Sequence, residues 1–74
     1  MSRPLKPGHL LAKAYHLIDH QKTRQAIIYL DNLTRRYPAW RELYEIKAMA
    51  LQMQNRPAEA AAVLRKACEV GKKE

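Results

Sequence analysis

The side chains in this 74-residue sequence that could do chemistry are few and scattered. His16 and His20 lie four residues apart, so a helix would place both imidazoles on one face, with Asp19 beside them. A zinc site normally has three or four protein ligands, and no further ligand lies close to this group in the sequence. Structural roles for both histidines are therefore favoured, and the sequence predicts no metal and no cofactor.

The groups that enzymes use as nucleophiles or phosphate ligands are also isolated. Cys68 is the single cysteine and has no histidine near it in the sequence. We expect a small buried apolar residue there, with oxidative coupling of two chains as the alternative. Glycine occurs only at positions 8 and 71, so no phosphate-binding loop can form. The sequence therefore predicts a protein that is not an enzyme.

Positive charge is the strongest compositional feature of the chain. Fourteen Lys and Arg residues against seven Asp and Glu residues give a net charge of +7. Arg35, Arg36 and Arg41 form a local basic patch around Pro38, which would suit nucleic-acid phosphates or an acidic protein surface. A solvated face is the simpler interpretation, because the sequence lacks a helix-turn-helix signature and an aromatic platform for bases.

The sequence contains no apolar run of about 18 residues, so we expect no transmembrane helix. The first residues lack the apolar segment of a signal peptide, and a single thiol suits a reducing compartment. We therefore expect a cytoplasmic protein that does not insert into a membrane. Residues 1–8, with two prolines and a glycine, are predicted to be a flexible N-terminal arm.

Apolar residues recur at helical spacing in four stripes, which predicts four amphipathic helices at 9–20, 23–36, 39–54 and 57–70. The stripes are Leu10, Ala14, Leu17 and Ile18; Ala26, Ile27, Leu30 and Leu33; Leu43, Tyr44, Ala48 and Leu51; and Ala60, Leu64 and Ala67. Between them, Thr23 is predicted to cap the second helix and Asn55 to close the third. Gly71 is predicted to end the fourth. The short connections favour antiparallel neighbours, and hence an all-α fold.

The sequence also repeats itself at a fixed offset, the one that carries position 13 onto position 47. We call this offset the repeat shift. It aligns five identical pairs: Lys13 with Lys47, Ala14 with Ala48, Leu17 with Leu51, Ala26 with Ala60, and Leu30 with Leu64. The turn at Gln21 falls on the turn at Asn55. Most of these matches fall on the predicted buried stripes, which indicates two copies of one helix–turn–helix unit.

This period and its pattern of large and small apolar residues resemble the tetratricopeptide repeat, whose units have about 34 residues. Unit one would occupy 7–40 and unit two 41–74 of a single domain at 9–71. The resemblance implies two antiparallel hairpins stacked as a short right-handed solenoid. The chain departs from the family pattern at Lys13 and Lys47, where an apolar residue is usual, and at Thr23 and Pro57, where an aromatic residue is common. An unrelated four-helix bundle remains the alternative.

The resemblance further implies that the first helix of each unit lines a groove. The candidate partner-binding residues are Leu11, Tyr15, Ile18, Glu45, Met49, Gln52 and Met53, with Trp40 at the junction of the units. The basic residues with which some members of the family grip acidic chaperone tails are absent from these positions. An apolar groove of this kind suits an amphipathic helix, although a stripe at this spacing can also be core.

We therefore expect a protein–protein interaction module, either an adaptor or a small chaperone, which binds an amphipathic segment of a partner or a second copy of itself. About three units are normally needed for a stable stack, so two units predict a homo-oligomer or a heterocomplex. A self-associating scaffold piece and a basic module that associates with nucleic acid are the alternatives.

Overall fold

A computed structural model describes residues 7–72 of the chain. These residues form four helices, α1 (Pro7–Asp19), α2 (Thr23–Arg36), α3 (Arg41–Met53) and α4 (Pro57–Lys72), and no strand. The all-α expectation is thus confirmed over residues 7–72. Residues 1–6 of the predicted arm and residues 73–74 of the second unit lie outside the described residues. Pro7 and Gly8, predicted to belong to the arm, are the first two residues of α1.

The helix bounds agree with the predicted ones to within two residues, and the differences lie at the caps. Thr23 does not cap α2: Lys22 holds the N-cap position without a side-chain hydrogen bond, and Thr23 is buried in the first turn. The third helix begins only at Arg41, because residues 37–40 form the link between the hairpins. The fourth continues through Gly71 to Lys72 instead of ending at Gly71.

The repeat of the sequence is also present in the backbone. α1 and α3 both have 13 residues, and their first residues are related by the repeat shift, as are those of α2 and α4. Each hairpin turn contains one residue with positive φ, Gln21 at 60° and Asn55 at 58°. The next residue donates its N–H to the carbonyl oxygen five residues earlier, Lys22 to Leu17 at 2.8 Å and Arg56 to Leu51 at 2.9 Å. Both turns therefore close in the same way.

The contacts between the described helices do not connect the last helix to the first. Each helix contacts the next one along the chain, and α3 also contacts α1. Within residues 7–72, α4 approaches neither α1 nor α2. The molecule is a slab of 42 × 33 × 15 Å with a radius of gyration of 12.3 Å. A compact domain of this length would have a radius of about 11 Å.

Small residues lie where the helices cross. Ala14, Ala26, Ala50 and Ala60 are completely buried and Ala48 is nearly so, which lets the helix backbones approach closely. The largest fully buried side chains are Leu30, Leu43 and Leu51. Together with their neighbours they form one main core that runs through all four helices. A smaller cluster of Tyr44, Ala67 and Val70 joins α3 to the end of α4.

One predicted core residue lies on the surface. Leu64 is 41% exposed, whereas its counterpart Leu30 is completely buried. The cause is the arrangement of the helices, because α3 packs against α2 and none of the described helices covers the corresponding face of α4. Ile46 and Ala50 were missing from the predicted stripe of α3, yet both are buried.

The two equivalent leucines provide a matched pair of substitutions. Leu30→Ala should lower the free energy of unfolding by about 2–5 kcal/mol, because it opens a cavity in a packed core. Leu64→Ala should lower it by less than about 1 kcal/mol, because the side chain is already partly in water. Urea unfolding followed by circular dichroism measures both values. Equal costs would show that the two leucines have similar surroundings in solution.

The left-handed turn residues lead to a second prediction. Gln21→Gly should stabilise the protein by about 1 kcal/mol, because glycine lacks the Cβ that strains a left-handed residue. Gln25→Gly, at an exposed position inside α2, is the control and should destabilise the protein by about 1 kcal/mol. Thermal unfolding of the two variants measures these shifts. If Gln21→Gly were as destabilising as the control, the hairpin turn would differ from the one described.

Candidate functional site: the groove between the first and third helices

A shallow depression of about 280 Å³ lies on one face of the slab, where α1 and α3 contact each other. It is lined by Tyr15, Glu42, Glu45, Ile46 and Met49. Tyr15 and Met49 occupy the same position in their respective helices, related by the repeat shift, and are 44% and 38% exposed. The stacking of the two hairpins brings these repeated positions side by side. We call this depression the α1–α3 groove.

The groove combines apolar side chains with acidic ones. Glu42 and Glu45 lie one turn apart on α3, and Ile46, only 3% exposed, contributes to the lining beside them. The Nε of Arg41 lies 4.0 Å from Oε2 of Glu45, and both side chains are about half exposed. In a chain of net charge +7, this groove is therefore locally acidic on its α3 side.

Of the other predicted partner-binding residues, some lie on the surface and others lie in the protein interior. Gln52 and Met53 are exposed further along α3, Met53 by 53%. Leu11 is half-buried against the core, and Ile18 belongs to the core with 7% exposure. Ile18 is thus unavailable as a surface contact, because its side chain packs into the main core.

Trp40 lies in the link between the two hairpins and is half-buried. Its indole packs against the main core, and the ring of Tyr37 meets it edge-on at 5.8 Å between centroids. Tyr44, the one aromatic residue of α3, donates its hydroxyl proton to the carbonyl oxygen of Pro38 at 2.8 Å. The aromatic residues of this region therefore fix the path of the link.

The three arginines of the predicted basic patch do not share one surface depression. Arg35 and Arg36 line a depression on the α1–α2 side together with Lys13. Arg41 is not among its lining residues and lies beside Glu45. The positive charge at the Pro38 corner is therefore divided between two places on the surface.

Two lysines related by the repeat make contacts that the sequence pattern did not predict. Lys13 places its Nζ 4.9 Å from the centre of the Tyr29 ring, and the Tyr29 hydroxyl donates to the carbonyl oxygen of Leu10 at 3.0 Å. Burial raises the pKa of Tyr29. Lys47 forms an ion pair with Asp31 across the junction of α2 and α3. The only signal in the sequence was that Lys13 and Lys47 occupy a usually apolar position of the repeat.

The residues considered for catalysis or metal binding are not part of the lining of this groove. Cys68 is exposed on α4, contrary to the expectation of a buried residue, because none of the described helices packs over that face. The rings of His16 and His20 lie 4.1 Å apart, and the described residues contain no group of three or more potential metal ligands. None of the four described helices is long and apolar enough to cross a membrane.

Comparison of the chain with models of protein families, with curated protein sequences and with solved structures finds no match.

If Tyr15 and Met49 are surface groups rather than core, removing them should leave the fold intact. Tyr15→Ser and Met49→Ser should each change the free energy of unfolding by less than about 1 kcal/mol. Ile18→Ser, one turn from Tyr15, should lower it by about 3 kcal/mol, because it opens a cavity and buries a hydroxyl. Chemical denaturation measures all three. A large loss of stability for Tyr15→Ser would place that ring in the core.

Proposed function

We propose that this chain is a non-enzymatic protein-interaction module of the tetratricopeptide type, an adaptor or small chaperone. Its α1–α3 groove would bind an amphipathic segment of a partner protein. The observation that carries this proposal is the position of Tyr15 and Met49: two exposed apolar side chains from equivalent positions of the repeat line the same groove. A concave site that combines apolar side chains with a few polar groups is typical of binding sites.

The arrangement of the helices supports the family assignment. Both the helix starts and the turn geometry recur at the repeat shift. The third helix packs against both helices of the preceding hairpin, as successive units of a helical solenoid do. The lack of contact between α1 and α4, over the residues that the structure describes, argues against a closed four-helix bundle.

The lining of the groove indicates the chemistry of its ligand. Tyr15 and Met49 suit the apolar stripe of a helix, and methionine adapts its shape to different side chains. Glu42 and Glu45 flank them on α3 and would favour lysine or arginine beside that stripe. The preferred ligand is therefore an amphipathic helix with basic residues at the border of its apolar face.

Site-specific photo-crosslinking in cells that produce the protein tests this function. A photoreactive phenylalanine analogue at Tyr15 or at Met49 should give discrete crosslinks to another polypeptide. The same analogue at Ile28, which is 62% exposed away from the groove, is the matched control and should give none of these products.

Two results would contradict the proposal. Crosslinks of equal yield from position 28 would show unspecific contact, and no crosslink from 15 or 49 would show that the groove is unoccupied. A product of twice the chain's own mass would identify a second copy as the occupant, which is the scaffold alternative.

A further inference from the structure

The contact between α2 and α3 shows which side chains pack against the outer face of the second helix of a hairpin. On α2, Ile27 and Leu30 are 7% and 0% exposed, because α3 covers this face. Lys47 marks the side of α3 that faces α2, and helical spacing places the buried residues Leu43, Ile46 and Ala50 on that side. Lys47 pairs with Asp31 of α2, so the junction combines apolar packing with one ion pair.

The corresponding face of α4 keeps the leucine, and none of the described helices covers it. The repeat shift places Ala61 on Ile27, Leu64 on Leu30 and Arg65 on Asp31. All three α4 residues are exposed, Leu64 by 41%. We call this surface the α4 face. Its charge is reversed relative to the internal junction, because an arginine stands where α2 has an aspartate.

A second copy of the chain cannot cover the α4 face in the way that α3 covers α2. The residues of α1 that correspond to Leu43, Ile46, Lys47 and Ala50 are His9, Ala12, Lys13 and His16, and all four are exposed. The imidazoles of His9 and His16 would stand where α3 has Leu43 and Ala50. Lys13 of the incoming copy would also face Arg65, and two like charges oppose each other. This face of α1 is thus polar, whereas the α4 face presents the apolar side chain of Leu64.

We propose that the α4 face binds an amphipathic helix of a different protein, seated on α4 as α3 is seated on α2. This helix presents two large apolar residues and a small one, and an Asp or Glu at the position of Lys47, where it pairs with Arg65. The site is separate from the α1–α3 groove and adds a second interaction surface to the proposed function.

The molecule itself supplies the probe. A synthetic peptide of residues 39–54 carries the covering side of α3, and Tyr44→Gln in the peptide prevents it from replacing α3 in its contact with Ala67 and Val70. One version keeps Lys47 and the other carries Lys47→Glu. Fluorescence anisotropy measures the binding of each labelled peptide to the whole protein at low salt.

The wild-type protein should bind the Lys47→Glu peptide about five- to tenfold more tightly than the Lys47 peptide, since the change turns a repulsive pair into an attractive one. Arg65→Asp in the protein should reverse this order, because it restores the natural Asp–Lys pair. Leu64→Ser should weaken the binding of both peptides, while Ile28→Ser, at an exposed position of α2 outside both surfaces, should leave both affinities unchanged. All three positions are exposed, so folding is not at stake.

The proposal fails if neither peptide binds or if both bind equally to the wild-type and Arg65→Asp proteins. It also fails if the protein sediments as a dimer at micromolar concentration and Leu64→Ser converts it to a monomer, because a second copy would then occupy the α4 face. If Tyr15→Ser were the one variant that lost binding, the peptide would bind in the α1–α3 groove, and the proposal would be wrong. Failure of this proposal would leave the proposed function standing, because the crosslinking test examines a different surface, the α1–α3 groove.

Discussion

The packing of α3 against α2 is the contact on which the rest of the structure depends. Leu30 and Ile27 of the first hairpin belong to the same buried core as Leu43, Ile46 and Ala50 of the second. Neither hairpin has enough apolar surface to form a core alone, and a domain of this size has little stability to spare. The Asp31–Lys47 pair is partly exposed, so it contributes at most about 1 kcal/mol to stability. Its main effect is on the position of the second hairpin relative to the first.

The same junction creates the groove. Because α3 lies against both helices of the first hairpin, it brings its own exposed side next to that of α1. Tyr15 and Met49 then line one depression although they belong to different units of the repeat. The repeat thus contributes twice: its buried positions build the core, and its exposed positions meet to form a surface. Function on such a scaffold depends on the exposed residues, which are free to differ between the units.

The sequence predicted the helices and turns well because their causes are local. Helical spacing of apolar residues, and a residue such as Asn55 that tolerates positive φ, act within one turn of the chain. Burial depends instead on which helix lies opposite. Leu64 was expected in the core from its helical spacing and Cys68 from its residue type, yet both are exposed, because none of the described helices covers that face of α4. Ile18 was predicted for the buried stripe by its helical spacing and for the groove by the family resemblance, and it lies in the main core, as the helical spacing predicts.

An open stack requires that α3, and not α4, contact the helices of the first hairpin, as is the case over residues 7–72. The most direct measurement is a map of nuclear Overhauser contacts between methyl groups of the folded protein in solution. An open stack predicts cross-peaks from α3 to α1, to α2 and to α4, for example between Leu30 and the methyl groups of Ile46 or Ala50. A set of strong cross-peaks between α1 and α4 would show a closed bundle and would contradict it.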